Sequence, residues 1–327
     1  MDYICKHDAF IANSIEKEDH IIIPFINLIK EEWRMKNIAI FVLVGVFIII
    51  GNTGCSSRLN VLSQEKQVGL PANERVFPIG EIGDKLYAEE IQESVYVINH
   101  EFPWPSNSMV VEMETGDIVL VDTPYTPAAT KQLLDWIHKR FGEREIIAIN
   151  TGFHFDNLGG NQVLVQKDIP VYGSSLTELL IYEYGEASRE LMLSWLNKPE
   201  TKELYNVYQQ IPYVPPTEIF NLDKVDLQNF RFGNEEVEIY YPGQSHSPDN
   251  LVVYFPEKNI LFGGCMIKSL DSKDLGNTAD ANLQEWPKSV KKVLERYKDS
   301  KIVIPGHGKW GNIDLIKYTL QLCEEKS

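Results

Sequence analysis

A layered α/β sandwich is the fold class this sequence predicts, and three observations carry it. Short β-branched runs alternate with helix-length amphipathic stretches in both halves of the chain. Turn residues separate the runs, as at Gly116-Asp117. No glycine-rich phosphate loop stands between a strand and a helix, so the alternation reads as sheets covered by helices. No internal repeat or low-complexity tract interrupts the pattern.

Three regions follow from the composition along the chain: 1–57 as an N-terminal extension with a signal segment, 58–85 as a polar tether, and 86–327 as the folded domain. Residues 38–50 are an uninterrupted apolar run preceded by Arg34 and Lys36. At roughly 1.5 Å per residue it is short for a ~30 Å hydrocarbon core and has the length of a signal-peptide hydrophobic region. Asn52-Thr53-Gly54-Cys55 resembles a bacterial lipobox, with Asn52 where an aliphatic residue is usual. The expectation is an exported, periplasmic protein, lipid-anchored through Cys55, with a single membrane anchor as the alternative. Met35-Lys36 has the form of a start, which leaves residues 1–34 as either a genuine extension or an upstream addition.

Within the domain, residues 94–99, 108–113 and 117–122 read as strands. Thr126-Pro127 offers an N-cap and a proline at the first helical position. The helix behind it sets Leu133, Leu134, Ile137 and Phe141 on one face, and Gly142 ends it. Residues 145–149 return as a buried strand, and 176–209 is a helical region ending before Pro212, Pro215 and Pro216. Strands at 236–241, 250–255 and 259–263, a helix near 287–298, a strand at 301–304 and a last helix complete the order. Cys323 falls on the apolar side of that last helix and reads as core. A net charge of -16 argues against nucleic acid as a partner, because such binding needs a basic face.

Four stretches place metal-ligand residue types at element ends: Asn150-Thr151-Gly152-Phe153-His154-Phe155-Asp156-Asn157-Leu158-Gly159-Gly160, Gly243-Gln244-Ser245-His246-Ser247-Pro248-Asp249-Asn250, Gly263-Gly264-Cys265 and Pro305-Gly306-His307-Gly308. In an extended segment His154 and Asp156 project the same way, and Gly159-Gly160 allows a sharp turn. Imidazole, thiolate and carboxylate from separate loops suit Zn²⁺, which takes nitrogen, sulfur and oxygen ligands. An unpaired cysteine in an exported protein also risks oxidation unless something holds its thiolate.

The order and spacing of these motifs, continued by Lys268 three residues after Cys265, resembles the class B metallo-β-lactamases over residues 86–325. Val121-Asp122-Thr123-Pro124, Leu275-Gly276-Asn277 and Asp280-Ala281-Asn282 extend the likeness. The resemblance implies a four-layer αβ/βα sandwich with zinc at one end. Cysteine in the third motif sets the chain apart from glyoxalase, lactonase and RNA-processing relatives, which also carry a histidine where Asn157 stands. Position by position, Asp156, Cys265 and His307 match the family's Asp-Cys-His zinc site, and His154 and His246 match two ligands of its three-histidine site. The third ligand falls at Gly152, so one Zn²⁺ is expected and the second site is weak; Gly152→His is expected to raise bound zinc towards two.

The likeness is hybrid: Asn150-Thr151-Gly152-Phe153-His154 resembles the mono-zinc, carbapenem-preferring subclass, Lys268 and Asn277 the two-zinc one. It implies a β-lactam substrate whose carboxylate meets Lys268 and whose carbonyl meets Asn277. A water held by His154, His246 or Asp156 would attack that carbonyl. Asp122 would orient the metal-site loops by hydrogen bonds, and Asp249 and Asn250 would shape theirs. His100 and His138 read as surface residues, with His100 a possible stand-in for the missing ligand. Phe102, Pro103 and Trp104 read as an apolar wall over the site, or as simple packing. A monomer touching membrane only through its signal segment or lipid is expected. The rival functions are hydrolysis of another amide, ester or thioester, with Gly152 opening room for it, and a non-catalytic zinc-binding surface lipoprotein.

Overall fold

The computed structural model describes residues 80–326 apart from position 223, all within the second of two compact units, Pro71–Ser327. The signal segment, Cys5, Cys55 and most of the tether lie outside the described residues. An eight-stranded sheet runs, in chain order, β1 (Gly80–Gly83), β2 (Leu86–Gln92), β3 (Val95–His100), β4 (Ser106–Glu112), β5 (Ile118–Val121), β6 (Ile146–Ile149), β7 (Val171–Ser174) and β8 (Glu218–Phe220). The first five strands pair antiparallel and the last four parallel, so helices must carry the chain back between them. These are α1 (Pro127–Phe141), the short α2 (Phe155–Leu158) and α3 (Asn161–Gln166), and then α4 (Ser175–Leu196) and α5 (Lys202–Tyr208).

The second sheet has five strands in the order β13 (Ile302–Pro305), β12 (Ile260–Gly264), β11 (Val252–Phe255), β10 (Glu235–Tyr240) and β9 (Leu227–Phe232). Helices α6 (Trp286–Arg296) and α7 (Asp314–Lys326) pack on its outer face.

Strand alternation explains the layering. On β4 and β5, Met109, Val111, Val119 and Val121 face the core between the sheets, while Val110, Ile118 and Leu120 face α1. On β11 and β12, Val253, Phe255, Ile260 and Phe262 face inward, and Val252 and Leu261 meet α6 and α7. Both sheets are thus buried on two sides, which gives the expected αβ/βα sandwich; each such side chain contributes about 1.5–3 kcal/mol.

Several expectations need correction in detail. β1 lies inside the stretch read as tether, and β2, β7, β8, β9, α2 and α3 were not read at all. The helical region 176–209 is two helices, parted at Lys198-Pro199. Thr126 caps α1 as expected, accepting the Ala129 N–H, and Cys323 is buried in the core under α7.

Candidate metal centre

The site collects at the carboxyl ends of β5, β6, β12 and β13, where the chain leaves each strand. Asp156 sits in the first turn of α2 after β6, Cys265 follows β12, and His307 follows β13. Glycines let these loops meet. A Cβ on Gly306 would stand 2.8 Å from Cys265 Sγ, and Gly264, at φ +53°, lies against Thr151 Oγ1. Gly159 and Gly160 serve differently from the expected sharp turn: both hold helical backbone, and a Cβ would collide with the Tyr125 carbonyl or the Thr130 hydroxyl. The close packing of α3 on α1 requires Gly160, and the approach of the Tyr125 carbonyl just before α1 requires Gly159.

Asp156, Cys265 and His307 each offer one ligand atom, and all three atoms lie within 4.8 Å of one another. His307 Nε2 is 2.9 Å and Cys265 Sγ 3.1 Å from Asp156 Oδ2, and Sγ lies 3.6 Å from His307 Nε2. Burial alone would raise the Asp156 pKa, but the His307 hydrogen bond and the nearby imidazole charges hold it well below the usual carboxylate range. Burial, and then the Asp156 charge, push the Cys265 thiol well up. A divalent cation is the partner that reverses this, because a coordinating thiol gives up its proton. Carboxylate, thiol and imidazole at this spacing fit a tetrahedral N/O/S ion with a position left open.

His154 and His246 stand side by side, ring centroids 5.3 Å apart. His154 Nε2 is 2.9 Å from Asp280 Oδ2. Burial acts to lower the His154 pKa, yet the Asp280 hydrogen bond and surrounding carboxylates raise it overall. Burial and the Lys268 charge hold His246 neutral, and its buried Nδ1 has no hydrogen-bond partner among the described residues. Opposite them Gly152 supplies no ligand. Its space is taken: a Cβ there would stand 2.9 Å from Asn250 Nδ2 and 3.1 Å from Asn157 Oδ1. Asn250 is fixed by Ser245 Oγ and the Ser247 N–H, both donating to its Oδ1. A three-histidine zinc site does not fit these residues, and Gly152 does not open the room for another substrate that the sequence suggested.

Asp122, at φ +56°, ties the loops as expected. Its carboxylate accepts from the Thr151 N–H and Thr151 Oγ1, both at 2.7 Å, and from Asn157 Nδ2 at 2.9 Å. Burial pushes its pKa up to about 8 against those donors. Asp249 accepts from Ser247 Oγ and Thr177 Oγ1, fastening the His246 loop to the start of α4. Lys268 is buried, its Nζ 5.3 Å from the Trp286 ring centre, near enough to Cys265 and Asp156 for their charges to act on it. Asn277 is half-buried, and its Oδ1 accepts the Ala279 N–H in the loop that carries Asp280.

His100 requires correction: it is buried rather than on the surface, stacked on Phe102, with its Nδ1 accepting the Tyr125 N–H, and so it offers no stand-in ligand. His138 is exposed beside Glu143, as expected. Three residues went unread as site members. Asp280 orients His154, and its one signal was the Asp280-Ala281-Asn282 run. Asn157, noted only as a departure, donates to Asp122 and reaches within 3.9 Å of Cys265 Sγ. Asn107 donates through Nδ2 to the Pro305 and Gly308 carbonyls on either side of His307.

Two sheets covered by helices, with an Asp-Cys-His cluster at one rim, define a metal-binding hydrolase scaffold. Residues 102–307 match the model of the metallo-beta-lactamase superfamily. The chain belongs to that superfamily. It is 36% identical to a type 2 metallo-beta-lactamase of Bacillus cereus, over 67% of this chain and 73% of that one. Identity to a type 2 enzyme of Pseudomonas aeruginosa is 32%, over 72% and 82%. Among solved structures, a metallo-beta-lactamase from Pontibacter korlensis superposes with a TM-score of 0.60 at 31% identity, covering 73% of this chain and 99% of that chain.

Proposed function

We propose that this chain is a zinc-dependent β-lactamase that opens the cyclic amide of β-lactam antibiotics with one Zn²⁺ held by Asp156, Cys265 and His307. The carrying observation is the convergence of those three ligand atoms within 4.8 Å at the sheet rim. The relatives named above, all metallo-beta-lactamases, support it.

When bound, zinc supplies a Lewis acid that stabilises negative charge on the departing amide nitrogen. The chain's own groups do the rest. With Nε2 occupied by Asp280, His154 keeps its Nδ1 lone pair to accept the proton of an attacking water. Asp280 stabilises the imidazolium that results. Lys268 pairs with the substrate carboxylate as a point charge, and Asn277 donates to the lactam carbonyl as charge develops there. Asp122, through Thr151 and Asn157, holds the Asp156 loop in register. His246 remains a neutral neighbour of His154 that helps retain the water. The site holds a single zinc, because position 152 is glycine and its space is filled. Carbapenem preference, export to the periplasm, lipidation at Cys55 and a monomeric state belong to this reading.

Hydrolysis of imipenem and benzylpenicillin by the full-length chain, with and without chelator and with zinc content measured, tests it. Zinc-dependent turnover with imipenem favoured supports the reading. Protein that holds zinc and turns over neither substrate overturns it.

A further inference from the structure

The segment 101–105 joins β3 to β4 and is fastened on one side to the metal loop. The Pro105 carbonyl lies 2.8 Å from His307 Nδ1, and the Asn107 N–H donates to the Gly306 carbonyl at 2.8 Å. Next to Pro105, Trp104 turns outward and meets Trp195, in the last turn of α4, edge to face with ring centroids 5.9 Å apart. Each tryptophan is 38% exposed, so the pair lies at the surface with part of its area covered. The neighbours of both residues are buried in one cluster: Phe102 beside Trp104, and Leu196 beside Trp195, pack with Tyr125 and with Phe155, which lies between His154 and Asp156. Helix and loop are thereby fixed to the metal loop through their buried neighbours, while the two tryptophans themselves stay at the surface.

Resting on the β-lactamase reading, we propose that Trp195 is a specificity-determining positioning residue: it pins Trp104 as a standing aromatic wall at the mouth of the site, which takes substrates by their apolar side group. An isolated exposed tryptophan on a five-residue connection would sweep through rotamers and lose that freedom on binding substrate. An edge-to-face partner on a 22-residue helix removes the loss in advance. Removing the wall then costs a lactam with a bulky aromatic side group more affinity than one with a small polar group, whichever of the two the intact site turns over faster.

The test uses the full-length chain and its Trp195→Ala, Trp195→Phe, Trp104→Ala and double-alanine variants, with Tyr182→Ala, 74% exposed on the same helix, as control. KM and kcat are read for benzylpenicillin, which carries a phenylacetyl group, and imipenem, which carries a hydroxyethyl group. Trp195→Ala is expected to raise KM for benzylpenicillin roughly three- to tenfold relative to imipenem, the effect falling in KM rather than kcat. Trp195→Phe restores most of it, and Trp195→Ala adds nothing once Trp104 is alanine. Near-ultraviolet circular dichroism should lose the coupled-indole signal in either single alanine variant, independent of turnover. An equal KM change for both substrates, or a full Trp195→Ala effect in the Trp104→Ala background, overturns the proposal and leaves the β-lactamase reading intact. Absence of turnover by the unaltered, zinc-loaded chain sinks both.

Discussion

Gly152 and His100 decide the ligand set of the site between them. The sequence alone makes Gly152→His the route to a second zinc, but the structure predicts otherwise. The new Cβ meets Asn250 and Asn157, one pinned by two serines and the other by Asp122. Gly152→His is therefore expected to bind no more zinc than the parent and to lose about 1–3 kcal/mol to overpacking. Zinc per chain and a urea melt check both, and two ions per chain would show that the asparagines yield. His100 titrates by the opposite logic to a paired histidine. Burial lowers its pKa from 6.5 to about 4, so between those values the unfolded chain binds a proton that the folded one refuses. Its stabilising share is complete above pH 6.5 and is lost as pH falls towards 4, roughly 3 kcal/mol at most. A His100→Gln variant should flatten that part of the stability-against-pH curve; parallel curves for parent and variant would refute the assignment.

Elements were legible where their pattern ran long enough to show a period, and the ligands where glycine and turn residues framed them. The helix from Pro127 declared both ends, through Thr126 and Gly142, and β4 and β5 were plain in their β-branched runs. Glu218-Ile219-Phe220 and Phe155–Leu158 are too short for any period, and Gly80–Gly83 joins its sheet through backbone bonds with one apolar side chain. Asp280 was hidden for a related reason: its partner His154 lies 126 residues away, in a loop without periodicity. Asn107 belongs with these, since the sequence shows a polar residue near a strand start but not the distant loop it holds. Buried on β4, it joins that strand to both flanks of His307. Asn107→Ala should cost about 2 kcal/mol by orphaning two carbonyls and weaken zinc binding roughly 10–100-fold. Chelator competition reads the second effect apart from the first, and unchanged affinity would mean that Pro105 alone orients the imidazole.

Seen across the whole molecule, the cluster is a joint between two sheets. Asp156 comes from the eight-stranded half, Cys265 and His307 from the five-stranded half, and the Leu251 N–H to Thr151 carbonyl bond crosses the same seam. An ion on all three ligands binds the native seam and not the unfolded chain, so it stabilises by mass action, about 2.7 kcal/mol at a hundredfold excess over Kd. At roughly 2–4 °C per kcal/mol for a domain of this size, chelation should lower Tm by about 5–10 °C. The dependence on pH has a definite sign. Zinc must displace the Cys265 proton, which burial and Asp156 hold tightly, so the ion binds less well as pH falls and the chelator-sensitive part of Tm shrinks with it. Calorimetric scans at pH 8 and pH 6, with and without chelator, measure this, and Cys265→Ser should abolish the difference at both. A Tm indifferent to chelator, in protein that held zinc at the outset, would place the ion somewhere other than between the sheets.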